Sequence, residues 1–228
     1  MACLFGRNLT HLHRPNEEDR DHDMNGEFWK RHRALDNILL NTSLSLPAQL
    51  RLPAGISDAN IVFCNMNIHT STICLHQAAI FKADKNRMPP QISAESKRRC
   101  IIAADQITKI MKMISHIDLS TVSSQRPLTR TPLTNSQMNP FIAFCLYVAA
   151  RVFVQYLKSR KDDATVKSSL HFLLSAMQAL KSKNPLTESF LVQLDVDLEG
   201  SGLSIPSNVS RYQPCEKRGP VSFPNLLI

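Results

Sequence analysis

The 228-residue sequence contains little of what enzymes use for chemistry. It has six glycines and one tryptophan, and no glycine-rich phosphate loop, GxSxG nucleophile elbow or HExxH metal motif occurs in it. Asp195 and Asp197 lie two residues apart, a spacing that points two carboxylates to different faces of a helix. These absences argue against an enzyme, and we expect no catalytic, cofactor-binding or metal-binding residue in this chain.

Long apolar runs are also missing. The longest, at residues 141–150, is followed at once by Arg151 and Gln155, whereas a helix that spans a bilayer needs about 20 apolar residues. We interpret this run as a buried helix and expect no membrane association. The first residues reach charge and proline before any apolar core of useful length, so we also expect that the chain is not exported.

The six cysteines are too far apart to form a metal cluster. A binuclear zinc cluster packs its thiolates as closely spaced pairs within about 30 residues. Here the cysteines are spread over nearly the whole chain, at Cys3, Cys64, Cys74, Cys100, Cys145 and Cys215. Four of them lie in apolar helical stretches, where free cysteine behaves as a small hydrophobic residue, and this favours a reducing intracellular compartment.

The sequence is basic, with 27 Lys and Arg against 19 Asp and Glu and a formal charge of +8. The cations occur in short groups that are scattered along the helical patterns and at their ends. Cations are favourable in the last turn of a helix, because they complement its dipole. We therefore interpret the groups as solvated faces and dipole partners in preference to a phosphate-binding track.

Apolar residues recur at helical spacing along most of the chain, which predicts an all-α fold. We expect an irregular multi-helix bundle of about six helices, with long connectors and a disordered C-terminal tail. The predicted helices start at Glu27, Ser57 or Asp58, Ser93, Asn139-Pro140, Asp162 with Asp163, and Asn184-Pro185. The helix after Pro140 is the most apolar and should be central, and residues 192–198 alternate in a way that also fits a strand.

Two histidines, His69 and His76, lie on the apolar stripe of the second predicted helix. Seven residues apart, they share a face but are two turns from each other, too far to hold one ion without a third ligand. We interpret them as packed core histidines in preference to a metal or acid-base site.

We divide the chain into three parts. Residues 1–26 are expected to be an N-terminal loop segment, because residues 15–26 are acidic, flanked by proline and closed by Asn-Gly. Residues 27–200 are expected to form the helical domain, with the third predicted helix running through His116. Residues 201–228, rich in Pro, Ser and Gly, are expected to be a disordered tail.

Several long strings of this sequence resemble one family. They are LFGRNLTHLHRP from Leu4, GEFWKRHRALDNILLNTSLSLP, IVFCNMNIHTSTICLHQAAIFKA, SKRRCIIAADQITKIMKMISH, MNPFIAFC and LVQLDVDLEG. Together they resemble the C-terminal part of the regulatory domain, often called the middle homology region, of fungal zinc-cluster transcription factors.

The resemblance implies a nuclear regulatory domain that controls transcription by RNA polymerase II through protein–protein contacts. The implied partners are transcriptional coregulators or the factor's own other segments. The family's zinc cluster, basic linker and coiled coil are not found among these residues, so DNA binding and zinc are expected only in that missing domain. We interpret the chain as a gene product whose start was placed too late or as a genuine truncated form. The alternative to a regulatory domain that acts through protein–protein contacts is a ligand-sensing helical domain that binds a small-molecule inducer.

One segment interrupts the part of the sequence that resembles this family: residues 122–137, VSSQRPLTRTPLTNSQ. Val-Ser, Leu-Thr and the final Gln are encodable by the donor, branch point and acceptor of a fungal intron, in that order. The segment is interpreted as a retained intron in preference to a loop insertion, and a loop of this length is tolerated because closure entropy grows slowly with length.

Overall fold

The computed structural model describes residues 2–13, 19–123, 139–182 and 184–201. These ranges contain seven α-helices, one short 3-10 helix and no strand, which confirms the all-α prediction. The α-helices are α1 (Ala2–His13), α2 (Glu27–Leu44), α3 (Ala59–Lys85), α4 (Pro90–Ser123), α5 (Ile142–Ser159), α6 (Ala164–Lys181) and α7 (Pro185–Glu199), and the 3-10 helix is Ala48–Leu50.

Helices α3 and α5 form the centre of the bundle. Helix α5 packs against α3, α4, α6 and α7, while α3 packs against α1, α2, α4 and α5. Eleven residues of α5 are buried and all of them are apolar, as was predicted for the central helix. Within the described ranges, α5 is also the one helix long and apolar enough to cross a membrane; its place at the core accounts for the same composition.

Local capping chemistry sets several helix starts as predicted. The carboxylate of Asp58 accepts a hydrogen bond from the backbone N–H of Asn60 at 2.8 Å, and that of Asp163 accepts from Val166 at 3.0 Å. The side chain of Asn184 accepts from the backbone N–H of Leu186 at 3.1 Å. Each cap satisfies an amide that has no partner inside the helix.

Two predicted starts are displaced. The side chain of Asn139 accepts from the N–H of Phe141 at 2.9 Å, so Asn139 and Pro140 form a turn and the helix begins at Ile142. Helix α4 begins at Pro90, three residues before the predicted cap Ser93, because proline is well tolerated in a first turn that needs no N–H. It also runs past His116, to Ser123.

Residues 185–199 are helical, so the strand interpretation of residues 192–198 is wrong. The buried residues Thr187, Leu191 and Leu194 follow a helical period and give α7 its inner face. The alternation of apolar residues has another cause: Leu194 faces the core, whereas Val192 and Val196 lie on the outer face of the helix.

The N-terminal loop prediction is wrong for residues 2–13, which form α1. Leu4, Asn8 and His11 repeat at helical spacing, and the helix lies against α2 and α3. Residues 19–26 do form turns, but they pack on the fold: Asp19 is buried, and the Trp29 indole N–H donates to the carbonyl of Asp21 at 2.9 Å.

Two predictions fall mostly outside the described residues. The expected tail is described only at Ser201, and residues 124–137 of the expected insertion are not described. Val122 and Ser123, the first two residues of that insertion, complete the last turn of α4.

Candidate functional site

A largely buried polar network lies where α2, α3 and α4 meet. The carboxylate of Asp36 is 3.3 Å from His76 Nε2 and accepts a hydrogen bond from Arg99. His76 Nδ1 lies 3.4 Å from the hydroxyl of Ser96 on α4. Burial would raise the pKa of Asp36, but the hydrogen bond from His76 and the charge of Arg99 hold it below its ordinary value. Asp36 therefore stays ionised and ties three helices together.

A layer of histidines extends from this network toward α1. The His32 ring lies 5.1 Å from that of His76 and 6.3 Å from that of His11, measured between centroids. Burial lowers the pKa of His11 to about 4, with a further contribution from the charge of Arg31. Burial lowers that of His32 to about 3, assisted by the neighbouring His76 and His11. Both are neutral at pH 7, because their surroundings disfavour a proton.

Among the described residues, the histidine layer is not part of a group of side chains arranged to hold a metal ion. No group of three or more His, Cys, Asp and Glu side chains in the described part of the chain has an arrangement that would hold an ion. Both ring nitrogens of His11 and the Nδ1 of His32 are buried and have no hydrogen-bond partner.

The two histidines singled out in the sequence have different surroundings. His76 is buried in the polar network, with 4% of its side chain exposed. His69 is half-buried, and burial lowers its pKa to about 4. Sequence reasoning missed His11 and His32; the helical spacing of Leu4, Asn8 and His11 was the signal that would have found the first.

The buried cysteines are poor nucleophiles. Burial raises the pKa of Cys74 and of Cys145 to about 12, and it also raises that of Cys100. The reactive thiolate form is therefore scarce at pH 7. These three are free thiols in the core, in keeping with the interpretation of cysteine as a small core residue, whereas the free thiol of Cys64 is partly buried and that of Cys3 is exposed.

The neighbouring carboxylates of α7 do not cooperate. Asp197 forms an ion pair with Arg151 on α5, with 3.0 Å between Oδ2 and Nε. Asp195 has no share in that pair, and burial together with Glu199 raises its pKa. The two carboxylates point to different faces, as the spacing predicted, and the arrangement offers no acid-base pair.

The outer face of α7 is an exposed apolar stripe. Val192 is 45% exposed and Val196 58% exposed, one turn apart on the side opposite the buried Leu194. At 100° per residue, Glu188, Asp195 and Glu199 fall along one edge of this stripe. We call the two valines and their acidic edge the α7 stripe. Exposed apolar patches rimmed by polar residues mark protein contact surfaces, and these two valines form a small patch of that kind.

Comparisons with curated proteins give two relatives. The chain is 24% identical over 205 residues to the pigment biosynthesis transcriptional activator pigB of Monascus ruber, covering 88% of this chain and 33% of the relative. It is 24% identical over 208 residues to the citrinin biosynthesis transcriptional activator ctnR of Monascus purpureus, covering 90% and 32%. The chain is similar to transcriptional activators of fungal biosynthesis pathways.

The similarity supports a role in transcription regulation, because both relatives are named as transcriptional activators. The chain spans about a third of the length of the curated relatives it matches. No family model and no solved structure matches it.

Proposed function

We propose that this chain is the regulatory domain of a fungal zinc-cluster transcription factor, which acts in the nucleus on RNA polymerase II transcription. The observation that carries the proposal is the similarity to two transcriptional activators along about nine tenths of the chain. By analogy with those relatives, the regulated genes belong to a biosynthetic pathway. The all-α fold with an exposed apolar stripe fits a module that works by contact.

DNA recognition is assigned by this proposal to a zinc-cluster domain outside the present sequence. The cysteines support this division, because Cys74, Cys100 and Cys145 are used to fill the core. Zinc is accordingly proposed only for the missing domain.

The proposed contact surface is the α7 stripe. Two exposed valines supply apolar area, and their acidic edge selects a partner by charge. The partner that fits is a transcriptional coregulator with an apolar groove bordered by Lys or Arg. Contact with the factor's own other segments is the competing outcome of the experiment.

A reporter experiment tests the regulatory role. The chain is fused to an unrelated DNA-binding domain and expressed in a fungal host with a reporter downstream of the matching operator. We expect the fusion to change reporter output relative to the DNA-binding domain alone. Reporter output that neither rises nor falls, with the fusion present in the nucleus, would contradict the proposal.

The same assay tests the surface. Val192→Lys combined with Val196→Lys places two positive charges beside the acidic edge and removes the apolar area, so the effect of the fusion on the reporter should be lost. The control is Ser168→Lys combined with Ser175→Lys, at exposed positions of α6. If both pairs behave alike while both proteins melt like the parent, the α7 stripe is not the contact surface.

An aromatic cluster favours a second candidate, the sensing of a small inducer. The rings of Phe141 and Phe144 lie 4.9 Å apart, and those of Tyr147 and Phe190 stack at 4.7 Å. The rings pack on one another and are only partly buried, so an apolar ligand would bind over their exposed faces. A ligand that binds the folded chain raises its melting temperature through linkage, whereas a pure contact module gives no shift with small molecules.

A further inference from the structure

Helix α1 is seated on α2 and α3 by both apolar and polar contacts. Leu4 packs against Leu35, Leu39 and Leu75, and Phe5 meets Phe141 edge to face at 5.4 Å. The amide of Asn8, fully buried, donates to the backbone carbonyl of Ser71 at 2.7 Å. His11 stacks on Phe28, with centroids 4.7 Å apart.

The polar part of this seat is poorly satisfied. The Asn8 side-chain oxygen, the Ser71 hydroxyl, both ring nitrogens of His11 and the Nδ1 of His32 are buried without a hydrogen-bond partner. A buried polar atom without a partner loses its bonds to water and gains nothing in return. Detachment of α1 would return these atoms to water. Their burial therefore offsets part of the free energy that α1 gains by burying apolar side chains. The buried residues of α5, all apolar, carry no such opposing contribution.

Charged and histidine side chains from several elements surround the two neutral histidines of the seat. His11 faces Arg31 and His32 of α2, Lys82 of α3 and, with the opposite effect, Asp19, which lies between α1 and α2. His32 faces His11 of α1, His76 of α3, Arg33 of its own helix and the favourable Asp36, itself bound to Arg99 of α4. Adding a proton to either ring would place a buried positive charge near Arg31 and Lys82 for His11, or near Arg33 for His32, and the nearby carboxylates offset only part of this cost.

We propose that α1 is an acid-released latch: protonation of His11 and His32 favours a state in which α1 has left its seat while the core helices stay folded. The sign follows from linkage. Both rings are neutral when seated, with pKa values of about 4 and about 3, and a ring in water titrates near 6.5. The free energy that favours the seated state over the released state is therefore fully present above pH 6.5 and decreases as the pH falls below that value. Release exposes the apolar surface of α2 and α3 that Leu4 covers.

Hydrogen exchange measures this opening. From pH 7.5 to pH 5.0, a histidine that is buried and neutral when seated and exposed when released raises the opening constant about 30-fold, and two such histidines raise it up to about 1,000-fold. We expect the protection factors of α1 amides, corrected for intrinsic rates, to fall by at least about 30-fold. Those of α5 should change little over the same range.

Two variants of the full chain separate the latch from general loss of stability. His11→Phe keeps an aromatic ring on Phe28 but cannot take a proton, so the pH response of α1 should shrink by about 30-fold. The matched control is His13→Gln, at an exposed position of the same helix, which should respond like the parent.

Three results would overturn the proposal. The first is α1 protection that does not change with pH, and the second is a parallel loss of protection in α5, which would mean global unfolding. The third is a pH response of His11→Phe equal to that of the parent.

Discussion

Replacing Val148 with aspartate tests which face of α5 is buried. Val148 is 2% exposed and belongs to the main apolar cluster of the bundle. The change loses the burial of a valine, worth about 1.5–3 kcal/mol, and introduces a polar group without a partner at about 1–3 kcal/mol more. The expected loss of about 2.5–6 kcal/mol is a large part of the 5–15 kcal/mol typical of a folded domain.

The assay is urea unfolding followed by circular dichroism at 222 nm, with Lys158→Asp as the control on the same helix. Lys158 is exposed in the last turn of α5, so its replacement should cost less than about 1 kcal/mol, through the helix dipole. For Val148→Asp we expect the midpoint to fall by roughly 1–2 M urea, or the chain to be unfolded without denaturant.

The pH dependence of the Val148→Asp variant gives a second check. Burial raises the pKa of the introduced carboxyl group, so folding requires its neutral form and the variant should be least stable at high pH. Equal midpoints for the variants at positions 148 and 158 would refute the assignment of the buried face. If the loss of stability caused by Val148→Asp does not grow with pH, the introduced carboxylate is not buried away from water, which would contradict the burial of this position.

Three further changes have expected signs. Arg87→Gly should stabilise the fold by about 0.5–1 kcal/mol in thermal melts, since Arg87 has a φ of 51° that glycine adopts freely; Arg98→Gly, within α4, should destabilise it by about 1 kcal/mol. Asp36→Ala should lower the free energy of unfolding by about 2–4 kcal/mol in urea melts, because His76 and Arg99 lose their shared partner. An unchanged free energy of unfolding would show that the network does not stabilise the fold. Asp58→Ala should cost about 1 kcal/mol by removing the α3 cap, and no change would show that water replaces it.

Helix starts were the most predictable part of the fold, because they depend on neighbours in the chain. Asp58, Asp163 and Asn184 each accept a hydrogen bond from an amide two or three residues later, and this geometry needs no tertiary contact. The same locality explains the central position of α5: a helix that is apolar on nearly all sides has to be covered by others.

Helix α1 was missed because its own sequence gives a weak signal. A 12-residue segment that includes Gly6 is marginal as an isolated helix, and its inner face mixes Leu4 with Asn8 and His11. The segment is helical here because its face fits the surface offered by α2 and α3. That surface exists only when residues about 30 and 65 positions later have folded beside it.

The sequence by itself determined that this protein is helical, which helix lies at its centre and where most helices begin, because periodicity and capping act over a few residues. The tertiary structure decided that His11, His32 and His76 form one layer and that Asp36 joins α2 to α3 and α4. It also decided that Val192 and Val196 are left outside. Burial and charge pairing depend on helices distant in the chain, and only their packing places those helices together.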